Sequence, residues 1–429
     1  MDFVMRLIAA WRVELTLLAP PVALGGWAYL HFGPVLAGVL VALVLTAALL
    51  PPPSRRLLVR ILHRAWVRRR LDVAFASLTG TPGERPPVVG RVTPTPGGDR
   101  VVLHLRHGTS IEDIERARSV VAASLSVREC RAAANADRKD RVTLTIVRRD
   151  PFSAVGQRSP LLDAERFDAW EPIPVGVDED GELVGLFLPE HNVLFGAEPG
   201  GGKSVALSSL VAGCALDPTV HLWLFDGKLV ELSAWRDCAE RFIGPNLDLA
   251  ISALEDLRTE MDARYSDLLT HKRRKVAPGE GWDLYVVVVD ELALFVAGVD
   301  KKQANRFAEL LRDLVARGRA AGVIVLAATQ KPSVDIVPSA LRDLFGFRWA
   351  LRCATREASD TVLGSGWAAA GFSAADIDPG RRGVGLLLHE GGVPVRLRSF
   401  GLTDADVSAI ATRAARLRHK ERGDRRRPR

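Results

Sequence analysis

The sequence predicts an α/β fold built on a central, mostly parallel sheet with a phosphate-binding loop. Three features of the 429 residues support this prediction. A glycine-rich loop, "GAEPGGGKSV" at 196–205, stands between the apolar run "HNVLF" and a helical pattern. The apolar runs "LYVVVVDEL" (284–292) and "GVIVLAATQ" (322–330) both end in polar residues. Such runs are typical of parallel strands that are buried on both faces and bind ligands at their carboxyl ends.

The glycine-rich loop predicts a nucleotide site. It follows the pattern G-x-x-x-x-G-K-[ST] between a strand and a helix, with Ala197 in place of the first glycine. The glycines let backbone N–H groups turn onto phosphate oxygens, and a helix N-terminus adds favourable potential. Lys203 would neutralise the β- and γ-phosphates, and Ser204 would complete a Mg²⁺ shell. The predicted cofactors are ATP and Mg²⁺. The predicted binding residues are Gly196, Ala197, Glu198, Pro199, Gly200, Gly201, Gly202, Lys203, Ser204 and Val205.

The two later apolar strands predict the remaining parts of the site. Asp290 and Glu291 end the first of them. Asp290 would hold Mg²⁺ through water, and Glu291 would orient and polarise the attacking water. Gln330 ends the second strand and would sense whether the γ-phosphate is present. An Asp-Glu pair after a strand is weak evidence alone, but the preceding glycine loop makes it strong.

Charge and cysteine content narrow the class of protein. The net charge is +7, but it is concentrated in two segments. Residues 53–70 carry seven arginines and no acid, and the segment from Arg413 onward carries nine Lys or Arg against two acids. The four cysteines are scattered and form no CxxC pair, which argues against a zinc site or a disulfide framework.

The N-terminal segment predicts a membrane hairpin over residues 1–52. No charged residue occurs from Leu15 to Leu50, and residues 15–30 and 32–50 are each near the roughly 20 residues that a spanning helix needs. A single span, or a hairpin buried in a soluble core, is the alternative. The arginines that follow would keep both ends in the cytoplasm. The predicted location is the cell membrane, multi-pass, with the later domains cytoplasmic.

The next two segments have no predicted chemistry. Residues 53–100 are predicted as a basic juxtamembrane segment resting on anionic lipid, in preference to DNA, followed by a linker rich in Pro, Gly and Thr. Residues 101–165 are predicted as a small α/β module, in which a helix begins at a capping box of Thr109 and Glu112. This module has no catalytic cluster, so a spacer or assembly role is favoured.

Three further stretches carry a family resemblance. They are "FDGKLVEL" (225–232), "LRTEMDARY" (257–265) and the run from Ala316 to Arg352. With the nucleotide motifs, they resemble the FtsK/SpoIIIE family of ring-forming DNA translocases over residues 166–402, although Gly227 replaces the family's proline.

The resemblance implies a RecA-like ATPase motor at 166–405 that forms a hexamer and threads double-stranded DNA. A neighbouring subunit would then supply an arginine to the γ-phosphate. Arg348 and Arg352 are the candidates, with Arg317 and Arg319 behind them. For each of the four, the alternative is an ordinary surface salt bridge.

The C-terminus departs from the family. Many members carry a winged-helix domain, but only 27 residues follow Leu402. Residues 406–429 are predicted as a short helix and a basic tail, which either binds phosphate backbone or is solvated.

The predicted function is therefore a membrane-anchored, ring-forming pump of double-stranded DNA, similar to actinobacterial conjugative transfer proteins. The alternatives are a type VII secretion-like ATPase that moves proteins, a chromosome-segregation pump, and an inactive scaffold. The intact Lys203, Ser204, Asp290 and Glu291 argue against the scaffold.

Overall fold

The computed structural model describes residues 30, 33–35, 53–76, 86–106, 108–135, 138–152 and 157–425. The chain divides into two compact units between Asp150 and Pro151, whereas the sequence placed this boundary at 165/166. The hairpin predicted for residues 1–52 lies almost entirely outside the described residues. Within the described ranges, no helix combines the length and the apolar character needed to cross a membrane.

From residue 53 onward, the described part of the first unit contains a four-stranded antiparallel sheet and two helices. The strands pair in the order β1-β2-β4-β3. Helix α1 contributes Val67, Leu71 and Phe75 to a core that also contains Leu103 and Leu144 of the sheet. The elements are α1 (Pro53–Ala76), β1 (Val88–Thr95), β2 (Gly98–His104), α2 (Ile111–Leu125), β3 (Glu129–Ala134) and β4 (Arg141–Val147).

The structure corrects the prediction for residues 53–100. The linker assignment is wrong for 88–100, because these residues form the β1–β2 hairpin. Proline and glycine mark the hairpin turn and a crowded sheet position rather than a flexible connection. A Cβ at Gly98 would lie 1.8 Å from the carbonyl oxygen of Ile146. The basic segment is likewise more than a flank, since one face of α1 is buried in the core of the unit.

The polar contacts of the first unit also differ in detail from the prediction. Helix α2 begins one residue later than expected, and its capping box consists of Ser110 and Asp113 instead of Thr109 and Glu112. The Ser110 N–H donates to the Asp113 carboxylate at 2.8 Å. In the same unit, buried Asp99 accepts from the Arg148 guanidinium at 2.9 Å and lies 2.6 Å from the His63 ring.

The second unit contains a sheet of ten described strands in the order β6-β5-β14-β13-β12-β7-β11-β10-β8-β9. The run from β12 to β9 is parallel, and the other strands add antiparallel at the β12 side. The strands are β5 (Ile173–Asp178), β6 (Leu183–Leu186), β7 (Val193–Gly196), β8 (His221–Phe225), β9 (Arg241–Ile243), β10 (Tyr285–Val289), β11 (Val323–Thr329), β12 (Phe347–Leu351), β13 (Val384–His389) and β14 (Val395–Ser399). The prediction of an α/β fold with a mostly parallel central sheet is confirmed.

Helices cover both faces of this sheet. Helix α3 packs in one apolar core with β5 and α9, and helices α4, α6 and α8 pack in the core on the opposite face. Most of α3 is buried, as befits a helix enclosed by other elements. The helices are α3 (Lys203–Ala215), α4 (Leu247–Thr270), α5 (Leu292–Val296), α6 (Lys301–Ala321), α7 (Ser339–Arg342), α8 (Arg356–Leu363) and α9 (Asp404–Arg425).

Helix α9 corrects the prediction for the C-terminus. It is longer than the short helix expected, and its Ile410 and Ala414 belong to the core. Arg418 is buried and donates to the carbonyl oxygens of Cys214, Ala215, Asp217 and Val220 at 2.7–3.2 Å. These carbonyls lie at and just beyond the end of α3, where a helix leaves acceptors unpaired. Arg418 is therefore a structural anchor and is not available to a DNA backbone.

Candidate nucleotide site

The glycine-rich loop joins β7 to α3 and is held by two neighbouring strands. The Ala197 N–H donates to the Thr329 carbonyl at the end of β11, at 3.2 Å. The Glu198 N–H donates to the Arg352 carbonyl, just after β12, at 2.8 Å. Because both partners follow parallel strands, the loop lies at the carboxyl edge of the sheet, which is where open α/β sheets bind ligands.

Two glycines give the loop its shape. Gly200 and Gly202 have φ values of 83° and 100°, a backbone region that side chains disfavour. At Gly202 the packing is also tight, since a Cβ would lie 2.7 Å from the backbone nitrogen of Gly383. The Gly383 N–H donates to the Gly201 carbonyl at 3.1 Å. The turn before β13 therefore braces the loop, which the sequence gave no reason to expect.

Lys203 and Asp290 meet at the mouth of the loop. The Lys203 ammonium donates to the Asp290 carboxylate and to the Asp290 carbonyl, each at 2.7 Å. Both side chains are buried. Burial raises the pKa of Asp290, and the charge of Lys203 opposes that rise. An ammonium held by one residue beside a glycine loop can transfer to a phosphate when a nucleotide arrives.

The other predicted cation ligand, Ser204, lies beside a second carboxylate. The Ser204 hydroxyl donates to Glu231 at 2.7 Å. The second carboxylate oxygen of Asp290 is buried and has no hydrogen-bond partner among the described residues. A carboxylate oxygen without a described partner and a serine hydroxyl at the start of α3 fit Mg²⁺, which binds proteins through one or two carboxylates and takes its other ligands from phosphates and water.

Glu291 is held by the end of β11. Its carboxylate accepts from the Thr329 hydroxyl at 2.9 Å and from the Gln330 N–H at 3.0 and 3.1 Å. The Lys228 ammonium lies 3.9 Å from it. The predicted pair of Glu291 and Gln330 is therefore in contact, although the contact runs through the Gln330 backbone. Their roles in hydrolysis stay predictions.

The candidate arginines occupy different places. Arg352 forms an ion pair with Glu198 of the glycine-rich loop in the same chain. Arg348 is half-buried on β12, where it lies 3.4 Å from Asp343 and burial lowers its pKa.

The two secondary candidates lie on α6, shortly before β11 begins. Arg317 pairs with Asp262 and Asp313, and Arg319 contacts Glu190 and Glu390. Of the four arginines, the structure places Arg352 at the loop and the α6 pair at the opposite edge of the sheet. Action of any of them on a neighbouring subunit stays a prediction.

The segment after β8 belongs to the site, and the sequence analysis gave it no role. Buried Asp226 directly follows β8 and accepts from the N–H groups of Lys228, Leu229 and Leu232 at 2.8–3.0 Å. These bonds fold the segment so that Lys228 reaches Glu291 and Glu231 reaches Ser204. The available signal was an acidic residue at the end of a third apolar strand.

Comparisons with known proteins agree with this geometry. Residues 158–284 match the profile of the FtsK/SpoIIIE family. Residues 158–284 are thus similar to the FtsK/SpoIIIE family, whose members are ATPases. The resemblance predicted from the motifs is confirmed over these residues.

Two curated relatives of this chain are DNA translocases by name. The DNA translocase FtsK of Staphylococcus epidermidis is 28% identical over 289 residues, which cover 61% of this chain and 35% of the relative. The DNA translocase SftA of Bacillus subtilis is 25% identical over 346 residues, covering 76% of this chain and 35% of the relative. The chain thus spans about a third of the length of these relatives.

A solved structure shares the fold of much of this chain. It is the pCW3 conjugation coupling protein TcpA, a monomer form with ATPγS. The TM-score is 0.55 at 20% identity, and the match covers 82% of this chain and 99% of that one.

Proposed function

We propose that this chain is a Mg²⁺-dependent ATPase that moves double-stranded DNA. The convergence of Lys203, Asp290 and Glu291 at the glycine loop carries the proposal. These side chains would supply a phosphate-neutralising cation, a metal ligand and a water-orienting carboxylate. The named DNA translocases among the relatives support DNA as the substrate.

Each residue has a defined task in this proposal. The loop N–H groups bind phosphate oxygens, and the Lys203 ammonium moves from Asp290 to the β- and γ-phosphates. Asp290 and the Ser204 hydroxyl would hold the cation, which when bound would neutralise charge on the transferring phosphoryl group. Glu291 orients the attacking water and accepts its proton, while Thr329 and Gln330 fix the position of the carboxylate.

Assembly into a ring, which we propose to be a hexamer, would complete the site. An arginine from a neighbouring subunit contributes roughly 10³–10⁵ in turnover in other NTPases. Mixing Lys203→Ala subunits with Arg348→Ala or Arg352→Ala subunits should restore part of the ATPase activity, because each supplies what the other lacks. Failure of every such mixture, with Arg317→Ala and Arg319→Ala included, would place the whole site within one subunit.

The cellular setting is part of the proposal. The uncharged stretch from Leu15 to Leu50 would anchor the protein in the cell membrane with the motor in the cytoplasm. A motor domain preceded by a small four-stranded unit is the architecture that we propose for conjugative DNA transfer. The fold matches a conjugation coupling protein along nearly all of that chain, which supports the same architecture.

The deciding experiment measures ATP hydrolysis by the full chain in detergent with random duplex DNA at several salt concentrations. Contacts to a duplex backbone predict stimulation that is independent of sequence and weakens as salt rises. A candidate secretion substrate is tested in parallel. Stimulation by the protein substrate together with no response to any duplex would overturn the DNA-pump proposal and favour a secretion ATPase.

A further inference from the structure

Glu231 lies inside the nucleotide site without a part in the reaction described so far. Its carboxylate accepts a hydrogen bond from the Ser204 hydroxyl at 2.7 Å. Burial is the largest cause that raises the pKa of Asp290, and the charge of Glu231 adds to it. Glu231 is only partly buried. A surface glutamate would satisfy its charge with water or a lysine, but Glu231 is turned onto the first residues of α3.

The hydrogen bond fixes how Ser204 can bind a cation. A serine hydroxyl has one proton to donate and two lone pairs to offer. While the proton points at Glu231, the lone pairs point elsewhere and are available to a metal. Ligand-orienting carboxylates of this kind tune metal sites, and losing one typically lowers metal affinity about 10–100-fold.

The charges of Lys203, Asp290 and Glu231 also favour a cation in this site. Lys203 compensates Asp290 in the structure described. When the Lys203 ammonium moves to the phosphates, the Asp290 carboxylate loses its cation, while Glu231 stays hydrogen-bonded to Ser204. A buried carboxylate without a partner is costly, and a divalent cation beside it removes that cost.

The segment that carries Glu231 is built to hold it in place. Asp226 binds three of the segment's N–H groups. Leu229 adopts a left-handed conformation with φ 65°, which a leucine maintains only when surrounding contacts determine it. The position of Glu231 is therefore set by the end of β8 rather than by chance side-chain packing.

We propose that Glu231 is a positioning residue for the cation of the nucleotide site. It holds the Ser204 proton, so that the hydroxyl oxygen faces the cation, and it adds a negative charge beside Asp290. The inference rests on the proposed function, since it assumes a site for ATP with Mg²⁺. It adds to that function a residue from the segment that follows β8, beside those from the segments that follow β7 and β10.

The test measures binding of a fluorescent, non-hydrolysable ATP analogue to the full chain as Mg²⁺ is varied. Glu231→Ala should raise the half-saturating Mg²⁺ concentration about 10-fold or more. Glu231→Gln retains an acceptor for Ser204 and should give a smaller rise. Binding of the analogue in EDTA should stay as in the wild type, because Glu231 does not contact phosphate. Val230→Ala, an exposed neighbour in the same segment, is the matched control and should change neither quantity.

Four outcomes separate this inference from the proposed function. If the wild type binds no analogue with or without Mg²⁺, the proposed function fails. If the wild type binds with Mg²⁺ and both Glu231 variants show its Mg²⁺ dependence, the inference alone is overturned. A lower Mg²⁺ requirement in Glu231→Ala would show that the carboxylate competes with the cation, which also overturns it. Equal loss of binding at every Mg²⁺ concentration would assign Glu231 a purely structural role.

Discussion

Two neighbouring parallel strands, β8 and β10, are each followed directly by a buried aspartate, and the two aspartates have opposite surroundings. The oxygens of Asp226 accept from N–H groups of their own segment. Asp290 has one oxygen on Lys203, and no described residue bonds the other. A buried acceptor without a partner is rare and calls for an explanation. The difference teaches that the chain completes the hydrogen bonding of its structural acids and leaves its functional acid open to a ligand.

The same contrast holds for two buried cations. Arg418 donates hydrogen bonds to four backbone carbonyls around the end of α3. Lys203, at the beginning of the same helix, has its bonds to one residue, Asp290. Backbone carbonyls of a helix end cannot leave, but a single carboxylate can be exchanged for a phosphate. The two ends of α3 thus differ as the two aspartates do.

The largest expected effect concerns Glu291, the residue after Asp290, whose second carboxylate oxygen has no partner among the described residues. Glu291→Gln should lower ATP turnover about 10²–10⁴-fold, because the amide cannot accept the proton of the attacking water. Steady-state hydrolysis and equilibrium ATP binding are measured together, and binding should be retained. Glu309→Gln, an exposed site on α6, is the control. Turnover at the wild-type rate in Glu291→Gln would remove this residue from the reaction.

The second prediction tests Asp226, whose carboxylate accepts hydrogen bonds from three backbone N–H groups. Asp226→Ala leaves three N–H groups without their acceptor, and the free energy of unfolding should fall by about 3 kcal/mol. Denaturant titration followed by tryptophan fluorescence gives this quantity. Asp237→Ala, an exposed aspartate of the following turn, should change it little. An Asp226→Ala protein as stable as the wild type would contradict the structural assignment and with it the contrast to Asp290.

The third prediction concerns the anchored cation. Arg418→Ala should lower the free energy of unfolding by about 2 kcal/mol, since it uncovers the carbonyls at the end of α3. The expected loss is smaller than at Asp226 because local fraying of α9 would let water reach these carbonyls. Arg416→Ala, exposed on the same helix, should stay within about 0.5 kcal/mol of the wild type. An equal effect of both substitutions would refute the anchoring role.

The smallest expected effect is at Gly200, in the glycine-rich loop between β7 and α3. Gly200→Ala should cost about 1 kcal/mol of stability from its positive φ alone, since an added Cβ meets no described atom within 4 Å. Gly202→Ala should cost more, because its Cβ would press on the Gly383 backbone. Denaturant midpoints of the two variants give the comparison. A larger loss in Gly200→Ala would show that the loop is braced differently from the structure described.

Much of the site was predictable because its residues follow strands in recognisable motifs. Lys203, Asp290 and Glu291 lie where the order strand, loop, helix requires, and the parallel core follows from apolar runs such as Val286–Val289. Glu231 was not assigned a role, because its contact with Ser204 depends on how Asp226 folds a segment of irregular backbone. The spacing of apolar and polar residues in the sequence does not indicate how such an irregular segment folds.

The less regular parts were harder for related reasons. Strand β1 and the turn into β2 were missed because Pro and Gly also mark flexible linkers, and only the sheet shows that the Ile146 carbonyl lies against Gly98. The basic C-terminal segment suggested a tail that either binds phosphate backbone or is solvated, because charge density is visible in a sequence and the carbonyls that bind Arg418 are not. In both places the missing information was a contact with a distant part of the chain.

The pairing of β5 with β14 has a consequence for synthesis on the ribosome. Asp178 of β5 lies opposite Leu397 of β14, so about 220 residues must be made after β5 before this edge can be covered. At roughly 5–20 residues per second, the wait is on the order of 10–40 s. During that time one side of the β5–β6 hairpin is an open edge that other strands can pair with. The second unit should therefore be most prone to aggregation while it is being translated, and slower translation of residues 180–395 should lower its soluble yield.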